Sequence, residues 1–169
     1  MNKTYTMAVV GLTVALLLSA CSKTTNTTLR IHLTSNPGSY EAVNVEIKAV
    51  WVKVAKENTG WFFLKTSDQM LNLNRIANGK DTIIATGEIP QSDIKEVRMI
   101  FGPKNSIVSA GKPYNLQLSS DLDGGGVNIR FQQTCNTDVS RVTFDLDATA
   151  SVKESGTNQF TFNPVIRAK

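Results

Sequence analysis

Cysteine and histidine are nearly absent from this chain: its 169 residues carry 2 Cys and 1 His. A zinc site built from His and Cys needs about four such ligands, so it cannot be assembled within one copy. Imidazole chemistry has a single candidate, His32, and thiol chemistry has Cys21 and Cys135. Charged residues are also scarce at 19%, with a formal excess of +4. That excess is too small and too scattered for a nucleic-acid surface, so no nucleic acid is expected as a partner. No glycine-rich phosphate loop, Ser-His-Asp order or metal-ligand cluster occurs either. The 11 Gly and 5 Pro exclude collagen-like sequence, and a hydrophobic share of 41% excludes wholesale disorder.

What is present begins with one long apolar run. Lys3 precedes residues 7–18, which are almost wholly apolar, and small residues follow. This is the pattern of a signal peptide over residues 1–20. The run is shorter than the ~20 residues a permanent membrane helix needs. Leu18-Ser19-Ala20-Cys21 resembles the bacterial lipobox, in which the cysteine thiol receives a diacylglycerol, cleavage follows Ala20, and the new amine is acylated. Several acyl chains make a stable anchor where one is marginal. The expected membrane partner is therefore reached through a covalent lipid on Cys21. Ser22 stands where an Asp would resemble the inner-membrane retention signal, so the expected location is the outer membrane, on its periplasmic face or at the cell surface. Residues 21–28 read as the lipidated cysteine and a flexible polar tether, and residues 29–169 as one domain.

With Cys21 acylated, Cys135 has no partner for an intramolecular disulfide. It reads as a small buried hydrophobe, and His32, between Ile31 and Leu33, as a surface histidine on the polar face of a strand.

Period-2 alternation dominates the body of the chain. Leu29, Ile31 and Leu33 alternate with polar residues, as do Val43, Val45 and Ile47. Further strands are expected over residues 49–56, 61–65, 82–86, 94–101, 114–118, 127–131, 140–147 and 160–166, separated by turn signals such as Asn78-Gly79 and Gly111-Lys112-Pro113. One short helix is expected over residues 68–77, with Leu71, Leu73 and Ile76 inward. Many short strands without alternating helices predict an all-β fold, a single antiparallel β-sandwich.

Glu41 to Ile47 running into residues 50–54, a Trp61-led strand, Leu71-Asn72-Leu73, residues 94–101, Phe144-Asp145-Leu146-Asp147-Ala148 with Ser151, and Asn163-Pro164-Val165-Ile166 together resemble a family of lipoprotein domains of unknown function, found chiefly in Bacteroidota. The resemblance implies a prealbumin-like or immunoglobulin-like sandwich and no activity. Ser92-Asp93-Ile94-Lys95 replaces the Gly-Xaa-Tyr strand entry that such domains carry.

Three constellations are candidates for chemistry. Asp121-Leu122-Asp123-Gly124 resembles the opening of a calcium loop, but Gln132 stands where an EF-hand has its bidentate Glu, so a polar hairpin tip fits better. Asp145 and Asp147 project from one face of a strand. They could hold calcium or do acid–base work, yet catalysis needs carboxylates in two environments across a cleft, and a face salt-bridged to Arg141 or Lys153 is the plainer reading. Trp51, Trp61 and Phe62 could stack on sugar rings, although Trp51, flanked by Val50 and Val52, reads as covered. The leading expectation is a non-enzymatic, lipid-anchored envelope protein that binds or scaffolds another envelope protein through its sheet edges. The alternative is a carbohydrate-binding module using exposed aromatics. No cofactor beyond the lipid and a candidate calcium is expected.

Overall fold

The computed structural model describes residues 25–36, 38–55, 60–67 and 70–169, the Asp123 side chain excepted. The expected signal peptide, residues 1–20, and the expected lipidation site, Cys21, lie outside the described residues.

The fold is all-β. The first strand, β1 (Asn26–Asn36), buries Leu29, Ile31 and Leu33, as their alternation requires. It starts inside the stretch read as tether, because Thr27 is buried and its hydroxyl donates to Ser140 Oγ at 3.0 Å. A satisfied hydroxyl pair can enter the core without an apolar side chain.

Two long strands change partners along their length. β2 (Ala42–Val54) pairs at its start with β4 (Met70–Asn72) and β7 (Ser106–Ser109), then from Ile47 with β6 (Ser92–Phe101) and from Val50 with β3 (Trp61–Thr66). β3 gives residues 61–64 to β2 and residues 65–66 to β5 (Thr82–Pro90). A register shift between Ile47 and Ala49 bends β2, and such bulges let a sheet curl.

The remaining strands are β8 (Lys112–Leu118), β9 (Gly126–Cys135), β10 (Val139–Asp147), β11 (Val152–Gly156), β12 (Gln159–Phe162) and β13 (Ile166–Ala168). One hydrogen-bonded path runs β11-β12-β8-β7-β2-β3-β5-β1-β10-β13, with β6 and β9 branching from β2. The route β9-β6-β2-β3-β5-β1-β10 nearly encloses the core. Its open step, from β9 to β10, is spanned by Gln133 Nε2 donating to the Arg141 carbonyl at 2.7 Å. Beneath it, Phe131 and Phe144 meet edge to face with centroids 5.3 Å apart.

The expectation of a purely antiparallel sheet is corrected: β1 pairs parallel with β10, and β12 with β8. Parallel neighbours need a long crossover, and here the whole chain between β1 and β10 supplies it. The expected helix over residues 68–77 is instead β4 followed by a 3-10 turn, Leu73–Ile76, that buries Leu73 and Ile76; Asp68 and Gln69 lie outside the described residues. The strand expected over residues 160–166 is two, β12 and β13, split at Asn163–Pro164. Helix α1 (Ala148–Ser151), β7 and β11 were not expected. Ala110 and Gly111 both take positive φ, 49° and 71°, in the two-residue turn that joins β7 to β8.

Candidate functional site

The phase of three neighbouring strands creates one outward aromatic face. On β2, Val50, Val52 and Val54 are buried, so period 2 turns Trp51 and Lys53 outward. On β3, Leu64 is fully buried, which sends Trp61 and Phe63 out and leaves Phe62 partly buried against the core. On β6, Ile94, Val97 and Met99 face in, while Glu96, Arg98 and Ile100 face out.

Register then sets the neighbours. Phe63, Trp51 and Arg98 form one cross-strand row, and Trp61, Lys53 and Glu96 the next. Trp51 and Phe63 touch with centroids 5.1 Å apart at 61°, and Lys53 Nζ lies 5.9 Å from the centre of the Trp61 ring. Exposure is 36% for Trp51, 39% for Trp61 and 53% for Phe63. A shallow groove of about 290 Å³ is lined by Trp51, Trp61, Arg98 and Ile100. Glu96, with 12% of its side chain exposed, faces Arg130 Nε at 3.8 Å.

Two expectations about this region are corrected. Trp51 is not covered, because its apolar sequence neighbours lie on the opposite face of the sheet. Phe62, expected beside Trp51 and Trp61 as a stacking candidate, is partly buried against the core, and Phe63 is the β3 phenylalanine that stands on the outward face. The buried Leu64 fixes the phase of β3 and would have identified Phe63. Arg98 and Lys53 were missed as members of the face, since only the register of β2 with β6 and β3 brings them beside the tryptophans.

The structure separates the other candidates. Asp147 Oδ1 accepts from Ala150 N at 2.9 Å and so caps α1. Asp145 stands opposite Arg167 in the β10–β13 ladder. Arg141, expected beside these two, instead donates to Asp81 Oδ2 and to Thr143 Oγ1. Asp121 is exposed, and its N–H donates to Ser119 Oγ at 3.3 Å. Asp123 opens a 3-10 turn, Asp123–Gly125, and its side chain lies outside the described part. The expected hairpin tip there is corrected: β8 pairs with β7 and β12, β9 with β6, so the glycines lie in a crossing between different parts of the sheet. Gly125 has φ 72°, and a Cβ there would stand 2.9 Å from the Phe101 carbonyl oxygen. Among the described residues no group of three or more His, Cys, Asp or Glu could hold a metal ion.

Cys135 is buried, 1% exposed, and burial pushes its thiol pKa up, with the Asp93 charge adding and a hydrogen bond with Ser140 opposing. His32 is more than a surface residue: its Nδ1 lies 2.8 Å from Asp81 Oδ1, with 11% of the side chain exposed. The His32 hydrogen bond, followed by the Arg141 charge, holds the Asp81 carboxyl below its usual range against the opposing cost of burial. Asp93 is lowered too, chiefly by the Thr134 hydroxyl.

Residues 26–164 match the model of a family described as a domain of unknown function, DUF4382. The chain belongs to this family. Within the DUF4382 domain the match begins at the first residue of β1 and ends just before β13. The resemblance to a family of domains of unknown function is confirmed at that level. No curated protein and no solved structure matches the chain.

Proposed function

We propose that this DUF4382 domain is the non-enzymatic, carbohydrate-binding body of a lipoprotein held at the outer membrane through an acylated Cys21, and that the face bearing Trp51, Trp61 and Phe63 takes the sugar. The observation that carries this reading is the outward grouping of three large aromatics on adjacent strands, Trp51 and Trp61 lining a groove of about 290 Å³ and Phe63 packed against Trp51. Large apolar side chains left on one patch mark an interaction surface, and ring faces match the C–H faces of sugars while Arg98 and Lys53 supply donors at the rim. Two tryptophans held by a rigid sheet cost little conformational entropy on binding.

The competing reading, capture of an envelope protein by a sheet edge, has weaker support. β4 and β13 have three residues each, β11 exposes Lys153 and Glu154, and β9 carries a register shift. Short, charged and bulged edges discourage strand addition. The non-enzymatic part of the proposal rests on Asp147 serving as a helix cap, not facing Asp145 across a cleft. Its finer fold description is a sandwich-like shell, with β1, β5 and β10 opposite β2, β6 and β9, supported by the Phe131–Phe144 contact between the two groups.

A glycan array probed with the full chain tests the function directly. Binding to at least one glycan class is expected, with loss of signal in a Trp51→Ala, Trp61→Ala double variant. An array without hits would overturn the proposal.

A further inference from the structure

We infer that the glycan taken by this face is acidic, a chain of carboxylated sugars that crosses the strands from the tryptophan groove toward β10. The inference rests on the carbohydrate reading above and adds the charge of the ligand.

Each tryptophan has a cation beside it. Arg98 stands opposite Trp51 and lines the groove, and Lys53 leans over Trp61. In these two rows the one acid, Glu96, is mostly covered and faces Arg130. The same face continues past Phe63 to Lys65, two residues along β3. There the register sets Lys65, Thr86, Arg30 and Arg141 in a single row across β3, β5, β1 and β10. Adjacent strands are about 4.8 Å apart, so this row spans roughly 14 Å. Lys65, Thr86 and Ile83 also belong to a second groove of about 250 Å³. Among the described residues Lys53, Lys65 and Arg30 have no carboxylate within ion-pair distance, while Arg141 is held by Asp81.

A neutral sugar needs no such surround, whereas a carboxylate gains from it twice. Hydrogen bonds from ammonium or guanidinium to a carboxylate are roughly twice as strong as neutral ones, and the summed field raises the local concentration of anions. The tryptophan groove with Arg98 and Lys53 on one side of Phe63, and Lys65 and Arg30 in the row beyond it, suit an extended polyanion better than a single charged sugar.

The location of the face introduces one rival. β1 begins beside Pro90, the end of the sheet on which Trp61 stands, and Asn26 lies five positions after Cys21, a reach of at most about 18 Å. An anionic lipid surface would therefore also lie close, and the test includes it.

The full chain in detergent is titrated with polygalacturonate and alginate, and with fully methyl-esterified polygalacturonate, which keeps the backbone and removes the charge; tryptophan fluorescence reports binding. Polygalacturonate or alginate is expected to bind at least tenfold tighter than the ester, and to weaken strongly at about 0.5 M salt, where screening is short-ranged. Arg98→Gln is expected to lower affinity for the acidic polymers about tenfold and leave the ester unchanged. Should Arg98→Gln fail to fold, the exposed pair Lys53→Gln and Lys65→Gln is expected to do the same. Equal binding of acidic and neutral polymers, or binding of neutral glycans alone, overturns the acidic assignment and leaves the carbohydrate reading standing. Binding to phosphatidylglycerol vesicles with no binding to any glycan overturns both.

Discussion

Trp51 on β2 and Phe63 on β3 are register partners whose rings meet at 5.1 Å on the outside of the sheet, not in its core. Edge-to-face pairs of this kind contribute about 0.5–1.5 kcal/mol beyond area burial. The contact therefore fixes the ring planes of the face before any ligand arrives. Urea unfolding of Trp51→Ala, Phe63→Ala and the double variant is expected to give a coupling energy in that range. Strict additivity would mean that the rings do not hold each other.

Asp147 caps α1, its Oδ1 accepting from Ala150 N at 2.9 Å. Replacing an N-cap carboxylate by alanine costs about 1 kcal/mol, while asparagine caps nearly as well. Asp147→Ala is expected to lower stability by about that amount and Asp147→Asn to restore it, with calcium shifting the melting temperature of neither. A calcium-dependent rise in the parent chain that Asp147→Asn abolishes would show the opposite.

The Asp81 carboxyl links His32 on β1 with Arg141 on β10. Its pKa is lowered in the folded state, so the stability it contributes is present above the ordinary carboxylate pKa, about 4, and is lost as pH falls below it. Asp93 acts in the same direction. Asp81→Asn is expected to be less stable than the parent at pH near 6, with the gap shrinking near pH 3. A gap of the same size at both values would place the effect in packing and not in charge.

Cys135 is buried with a raised pKa, and the thiolate is the reactive form. Maleimide is expected to label the native chain slowly and the urea-unfolded chain fast. Chain extracted from membranes should then count one reactive thiol, because the proposed lipid blocks Cys21. Two thiols would contradict acylation.

The alternation of Leu29, Ile31 and Leu33, and of Val43, Val45 and Ile47, makes β1 and the first half of β2 legible without coordinates, because one buried face must be apolar. β11, Val-Lys-Glu-Ser-Gly, is not legible: a solvated edge strand has no apolar alternation to show. The parallel pairing of β1 with β10 is hidden because it joins residues about a hundred positions apart, and the His32–Asp81 contact because it joins residues 49 apart. The aromatic face was half legible. Trp61 and Phe63 stand outward once the phase of β3 is known, and the apolar neighbours of Trp51, in a strand, belong to the other face. Phe62 and Phe63 are alike in sequence, and only the burial of Leu64 fixes the phase of β3 that turns Phe63 outward.

The central claim is that Trp51 and Trp61 bind sugar, and a titration of the full chain against the strongest glycan from the array tests it most directly. Removing an aromatic anchor costs about 2 kcal/mol or more, equivalent to roughly thirtyfold in affinity. Trp51→Ala and Trp61→Ala are each expected to weaken binding by about that factor, with far-ultraviolet circular dichroism unchanged. Full affinity in the folded double variant would contradict the claim.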